Sequence, residues 1–338
     1  MPTALAATHP RVLLLTNLFR DQLDRYGEID LIAKRWTETA QNAGSGLTLA
    51  VNVDDPLLAH LVGRASGPTV SFGIEDRSMG HAKLGHEADR HLCPACDGRL
   101  IYDWCFYGHL GHYRCSECHW VRPVPQLAVT DIKADERETT AALQYEGAYA
   151  NLRLGLPGLH NVYNATAAVA AALAIGLELK EAAAGAEEAP GVFGRHQRIQ
   201  VGAGSLTLLL VKNPVGFNQA LLSAPEEMDL ASIAINDLFA DGTDVSWLWD
   251  VDFDPLVQRE IPVRCTGLRA YDMAVRLKYD GANKESLLVE PRLDTALQDS
   301  LREAEAGSNI VFFSTYTATL EMQRLLARRG LAPPYWEG

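Results

Sequence analysis

The sequence has no apolar run able to cross a bilayer. Its longest, residues 165–177, is mostly Ala and is interrupted by Thr166 and Gly176, too short and too weakly hydrophobic for a span. Residues 1–10 lack a charged start followed by a sustained apolar core, so no secretory leader is expected. Positive charge is in short supply: 30 Lys and Arg stand against 43 Asp and Glu, a formal charge of −13. That deficit excludes a general nucleic-acid binder, whose affinity depends on cations meeting phosphate, and a polybasic membrane-surface protein. Cysteine is sparse too. Of six, four fall in two C-x-x-C pairs, so in a chain read as cytoplasmic a metal site is expected rather than disulfides. No internal repeat or low-complexity tract is present.

What is there is an ordinary globular composition, 47% hydrophobic and 22% charged over 338 residues, enough for about two domains. The apolar run 11–15 reads as a buried parallel strand, followed by a helix over 29–43 and strands at 47–53 and 70–73. Strand, helix and strand in alternation is the signature of an α/β layer fold. From about residue 86 to 125 the texture shifts to Cys, His, Gly and aromatics, as in a small inserted module. Residues 127–154 read as two or three extended segments, and the Ala-rich stretch 161–177 as a helix. The small and polar segment 185–193 is the boundary candidate. Beyond it a second α/β set is expected, with strands at 206–211, 231–236, 263–266 and 309–313 and helices at 216–223, 270–278, 293–304 and 318–328.

Cys93-x-x-Cys96 and Cys115-x-x-Cys118 are separated by eighteen residues, a zinc-ribbon spacing. Each pair forms a knuckle that aims two sulfurs at one point, and four thiolates close a tetrahedral shell with no open position, so a structural zinc is expected. The cations between the pairs and flanking them are nearly matched by anions, which makes the knuckle a poor phosphate clamp. His109, His112 and His119 are read as packing or surface residues rather than ligands, and Cys105 and Cys265 as ordinary buried residues.

Three blocks resemble the Mur-type peptide ligases: the run Thr16 to Gly27, the H-N-V-Y-N-A segment from His160 to Ala165, and G-R-H-Q-R-I from Gly194 to Ile199. Further blocks narrow the resemblance to the MurT family: K-N-P-V-G-F-N from Lys212, I-N-D from Ile235, D-G-T-D-V-S-W-L-W-D from Asp241 to Asp250, and the stretch Arg269 to Tyr279. The resemblance implies a partial Mur-ligase-like central domain over residues 1–190, with a four-cysteine zinc ribbon inserted at about 88–125. It implies a carboxyl-terminal Rossmann-like α/β domain over 191–338. It further implies the ligase subunit of a lipid II isoglutaminyl synthase, acting in peptidoglycan synthesis at the inner membrane face. There ATP, with Mg²⁺, activates the α-carboxylate of D-glutamate in the stem peptide, and ammonia from a GatD-type glutaminase partner completes the amide. In that frame Asn161 and His160 contact nucleotide, and Arg195 and Lys212, with Arg198 as a further candidate, neutralise phosphoryl charge. Asp250 is the carboxylate that orients the partner's His, as in a catalytic triad; Asp244 and Asp252 are alternatives.

Each assignment has a plainer competitor. Asn161 would also serve as a helix cap, Arg195 as a salt-bridge partner, Asp237, Asp241 and Asp244 as turn residues, and Asp21 and Asp24 as helix-cap acids. Trp247 and Trp249 are read as alternating along a strand and packing. The sequence departs from the Mur pattern in having no G-x-x-x-x-G-K-[ST] phosphate loop, and Arg20 stands where some relatives have a metal-binding Glu. The expectation is an amino-terminally shortened ligase that binds ATP poorly or not at all as written. The rival readings are a stand-alone amino-acid ligase and a non-catalytic zinc-ribbon protein derived from a truncated ligase.

Overall fold

The structure, a computed structural model, describes residues 5, 7–20, 29–82, 91–134, 138–155, 157–188 and 195–333. The chain forms two compact units, one reaching Ala189 and the other running from Pro190 onward.

The first unit is built on a six-stranded sheet. β1 (Val12–Leu15), β2 (Thr48–Asn52), β3 (Thr69–Ile74) and β6 (Leu127–Ala134) are parallel neighbours, and β7 (Thr139–Tyr145) and β8 (Ala148–Leu154) extend it antiparallel. The two or three extended segments expected over 127–154 are three strands, β6 joining the parallel core and β7 and β8 appended to it antiparallel. Helix α1 (Ile29–Asn42) follows β1, and the short α2 (Pro56–Val62) follows β2. Their apolar faces share one core cluster with Leu15, Leu49 and Val51. The Ala-rich α3 (Leu159–Ala174) runs along β1, β2, β3 and β6. Every residue from Leu49 to Asn52 is buried, as a parallel strand covered on both faces must be. Helix α4 (Leu179–Glu187) occupies part of the stretch read as a boundary. Its Ala and Glu content is helix-forming, and Leu179, Ala182 and Ala183 are buried where the helix packs on α3 and β8. Between β3 and β6 lies the hairpin β4 (Leu100–Tyr107) and β5 (Leu110–Cys115), a separate two-stranded sheet.

The second unit has strand order β13-β12-β11-β14-β10-β9. All neighbours are parallel except β9 (Arg195–Val201), which pairs antiparallel with β10 (Gly204–Leu210) at the edge. The others are β11 (Leu230–Ala234), β12 (Val263–Thr266), β13 (Leu287–Val289) and β14 (Asn309–Ser314). Strand alternation sorts the side chains into two cores. Leu209, Ile233, Val311 and Phe313 face one cluster, with α5 (Pro214–Leu222), α6 (Asp254–Val257) and α7 (Ala270–Tyr279). Leu206, Leu208, Ile310 and Phe312 face the other, with α8 (Leu293–Glu305) and α9 (Tyr316–Arg328). A period of two along each strand therefore builds a three-layer sandwich. Among the described residues no helix is long and apolar enough to cross a membrane.

Candidate functional site

In the first unit the four paired cysteines converge. Their sulfurs lie within 4.8 Å of one another, with Cys93 to Cys118 at 3.7 Å and Cys96 to Cys115 at 3.5 Å. A tetrahedron with bonds of roughly 2.3 Å has edges of roughly 3.8 Å, so the donor set fits a tetrahedral metal ion. The two knuckles share one local design. In each, the residue after the second Cys takes a positive φ, 59° at Asp97 and 60° at His119. Backbone N–H groups of Ala95, Gly98, Glu117 and Cys118 point at sulfur from 3.3–3.4 Å. The N–H groups of Cys118 and Glu117 bring the Cys115 thiol down to about 7, whereas at Cys96 the Gly98 N–H is outweighed by the neighbouring sulfurs, Cys118 foremost, which push that thiol up to about 12; a metal that takes all four as thiolates would displace the remaining protons. Among the described residues no histidine joins the set. His112 stacks on Trp104 with ring centres 4.0 Å apart, His109 is fully buried elsewhere, and His119 is exposed.

The hairpin that carries this cluster inserts its tip at the carboxyl edge of the sheet. Asp54 and Asp55, which follow β2, are both fully buried. Asp55 caps α2 by accepting from the N–H groups of Leu57 and Leu58, accepts the N–H of Leu18 at 2.7 Å, and meets His109 Nε2 at 3.3 Å. Asp54 accepts from Arg122 Nε at 2.6 Å, the Ile74 N–H at 2.9 Å and the Tyr163 hydroxyl at 2.6 Å. Arg122 also holds Glu75 at 2.8 Å. Burial alone would lower the Arg122 pKa, but Asp54 and Glu75 raise it above its ordinary value. The crowding explains Gly73, where a Cβ would come within 2.6 Å of both Arg122 Nη2 and Asp54 Oδ1. Sequence reasoning passed over this buried network, because Asp54 and Asp55 directly follow the strand read over 47–53 and Arg122 is one of the cations flanking the cysteine pairs. The available signal was two adjacent acids inside an apolar stretch.

Of the nucleotide candidates, Asn161 and His160 sit in the first turn of α3. Asn161 is buried and its side chain donates to the Pro157 carbonyl at 2.7 Å. The cap position belongs to Gly158, at φ 99°, with no side-chain cap bond, so the capping role considered for Asn161 is replaced by a backward tie to the preceding loop. His160 is half-buried, its ring packed over Gly158. Arg195 opens β9, where its backbone pairs with Leu209, and its side chain lies outside the described atoms, as do Gly194, Asp21 and Asp24. Lys212 is exposed at the end of β10, next to Asn213, which caps α5 through the Gly216 N–H at 2.8 Å. Asn161 and His160 belong to the first unit, and Arg195, Lys212 and Asp250 to the second.

Asp250 ends a 3₁₀ turn, Ser246–Asp250, and is exposed. This corrects the strand reading of Trp247 and Trp249. In a tight turn the two do not alternate across a sheet: Trp247 packs on the core near Phe217, while Trp249 is 54% exposed. Asp244 accepts the Ser246 N–H at 2.8 Å and Asp252 the Asp254 N–H at 3.1 Å, the local Asx turns that short acids favour. Asp241 is a network residue, accepting from Thr317 N–H and Oγ1 and from the Leu238 N–H. Asp237 pairs with Arg269 at 3.2 Å. A cleft of about 330 Å³ opens beside the turn, lined by Asp244, Ser246, Trp249, Arg269, Asp272 and Arg276. Next to it Tyr271, Val275 and Tyr279 stand exposed at four-residue intervals on one face of α7, and Trp249 meets Tyr279 edge-on at 5.7 Å. An aromatic stripe of this kind is interface chemistry rather than core chemistry.

Comparison with known proteins gives this arrangement a family context. A family model described as MurT ligase C-terminal matches residues 210–319. The chain is 33% identical over 329 residues to the lipid II isoglutaminyl synthase subunit MurT of Streptococcus pneumoniae, covering 95% of this chain and 70% of that protein. It is 32% identical over 282 residues to the corresponding subunit of Staphylococcus aureus, covering 82% of this chain and 62% of that protein. The chain thus spans about two thirds of the length of these curated relatives. Among solved structures, a pseudomurein peptide ligase type C from Methanothermus fervidus superposes over 97% of this chain and 65% of that one, with a TM-score of 0.73 and 19% identity, a likeness of fold.

Proposed function

The chain belongs to the MurT family, and from that membership we propose that it is the ligase-like subunit of an isoglutaminyl synthase that amidates lipid II with ammonia from a separate glutaminase. The chemistry asks for two things: activation of a carboxylate, which is a poor electrophile until converted to an acyl phosphate, and a supply of ammonia kept from water. The second unit supports the second demand. Its 3₁₀ turn holds Asp250 in solvent beside the stripe Tyr271, Val275, Tyr279 and Trp249, and this pairing of one exposed acid with an aromatic docking face carries the proposal. A partner seated on that stripe would meet Asp250 at its rim, where the carboxylate can accept from a histidine ring N–H and stabilise its charged form.

The cysteine cluster is proposed to hold zinc. Four thiolates leave no open position, so the ion's part is to fix the hairpin whose tip meets Asp54 and Asp55. ATP and Mg²⁺ belong to the proposed reaction, yet these 338 residues carry no phosphate loop, and Asp54 and Asp55 are occupied by internal hydrogen bonds. No phosphoryl-transfer step is therefore assigned to them. Asn161, His160, Arg195 and Lys212 are proposed to serve the nucleotide.

The test uses the chain together with the glutaminase subunit. Asp250→Asn is expected to lower glutamine hydrolysis at least about 100-fold while the two proteins still co-elute, in keeping with the loss on removing a triad carboxylate. Hydrolysis at the unaltered rate would remove Asp250 from the mechanism.

A further inference from the structure

Helix α7 buries Ala270, Met273 and Leu277 along one stripe, and Arg276 lies on the same buried side, only 7% exposed. An apolar residue would fill such a position at no electrostatic cost, so a buried arginine there needs a use. Its donors show what that use is. Nε donates to the Leu248 carbonyl at 2.9 Å, Nη2 donates to the Val251 carbonyl at 2.8 Å, and Nη1 pairs with Asp280 one turn along the helix. The guanidinium also sits 5.2 Å from the Trp249 ring centre and 5.3 Å from that of Phe253. Leu248 and Val251 bracket Trp249 and Asp250. On the far side, the buried Asn218 side chain accepts the Asp252 N–H at 3.0 Å.

We propose that Arg276 is the positioning residue for Asp250: its planar fork grips the turn at two carbonyls on either side of the acid and so sets where the carboxylate points. The inference rests on the reading of Asp250 as the functional carboxylate. Fork geometry is central to it. The two carbonyls are held by separate nitrogens of one rigid plane, which the single ammonium of a lysine cannot reproduce. Asp280 is the counter-charge that holds the fork in place from the helix side. Val245, which precedes the turn, gives no side-chain cap; Asp244 holds the Ser246 N–H at its start, while the clamp, Asn218 and the burial of Leu248 and Val251 act on its end.

The experiment measures glutamine hydrolysis by the complex of the chain with its glutaminase partner, separating kcat from KM, for Arg276→Lys, Asp280→Asn and Asp250→Asn. A misdirected carboxylate costs turnover rather than glutamine binding. Arg276→Lys should therefore lower kcat about 10- to 100-fold, with KM within about threefold of the unaltered complex. Asp280→Asn, which loosens the fork without emptying its place, should lower kcat about 3- to 10-fold. Amide hydrogen exchange of the segment 246–252 should quicken in both. If Arg276→Lys fails to fold, Asp280→Asn decides by the same split. Unaltered kcat in the folded variants beside an inactive Asp250→Asn overturns the positioning role and leaves Asp250 in place. A raised KM with intact kcat overturns it as well. Full activity of Asp250→Asn removes the functional acid and the clamp's purpose with it.

Discussion

Replacing Arg122 by Met would test the buried network that joins the cysteine hairpin to the first sheet. The side chain is nearly isosteric in its stem, so the change removes a charge more than a volume. Asp54 would then keep a fully buried carboxylate with two donors, the Ile74 N–H and the Tyr163 hydroxyl, in place of three. Breaking a buried pair by deleting one partner costs about 3–5 kcal/mol. The two surviving donors place the expected loss near about 3 kcal/mol. Glu75, one-third exposed, adds little because solvent screens it. For a unit of this size about 3 kcal/mol corresponds to a fall of about 6–12 °C in the first unit's melting midpoint. Circular dichroism and urea unfolding followed by tryptophan emission would read both. Asp54→Asn in the Arg122→Met background supplies the decisive sign. An amide can still accept from Ile74 and Tyr163 but carries no charge, so the double variant should be more stable than Arg122→Met alone. A single variant within about 0.5 kcal/mol of the parent, or a double variant weaker than the single, would refute the account.

Two further outcomes follow from the same unit. Burial first, and Arg122 second, lower the His112 pKa. The unfolded chain therefore takes up this proton before the folded one does. The contribution is complete above about pH 6.5 and is lost as pH falls through the lowered folded value. His112→Gln should flatten the slope of stability against pH just below about 6.5, and an unchanged slope would show that His112 is not the titrating group. Elemental analysis of the purified chain should find about one zinc per chain, and Cys96→Ser or a strong chelator should remove it and expose the hairpin to protease. A metal-free chain with an equally resistant hairpin would refute the structural-metal reading.

How much was legible beforehand depended on how local the cause was. The strands at 11–15, 47–53, 206–211 and 309–313 could be read because each is an apolar run bounded by turn residues, and all four are strands in the structure. The two C-x-x-C pairs were legible because knuckle geometry is set within a few residues of each cysteine. Helix α4 was missed because Gly185 and the Pro190-Gly191 pair beyond it suggest a linker, while the burial of Leu179, Ala182 and Ala183 that anchors the helix is a tertiary effect. The turn carrying Trp247 and Trp249 was misread because two tryptophans two positions apart match the period of a strand, and five residues are too few to separate that from a 3₁₀ turn.

The linear order of residues, then, determined the α/β layering, the clustering of four thiols and the family resemblance, since period, spacing and motif are properties of neighbours along the chain. Tertiary structure alone decided which acids are buried and which lie at the surface. Asp54 and Asp55 look no different from Asp250 in the sequence, yet the first two are enclosed by Arg122, Tyr163 and Leu18 while the third meets solvent. It also turned Arg276 from one more basic residue on a helix into a clamp on a turn 25 to 28 positions away. A charge takes its role from the dielectric and the donors around it, and those are assembled by segments distant in the chain.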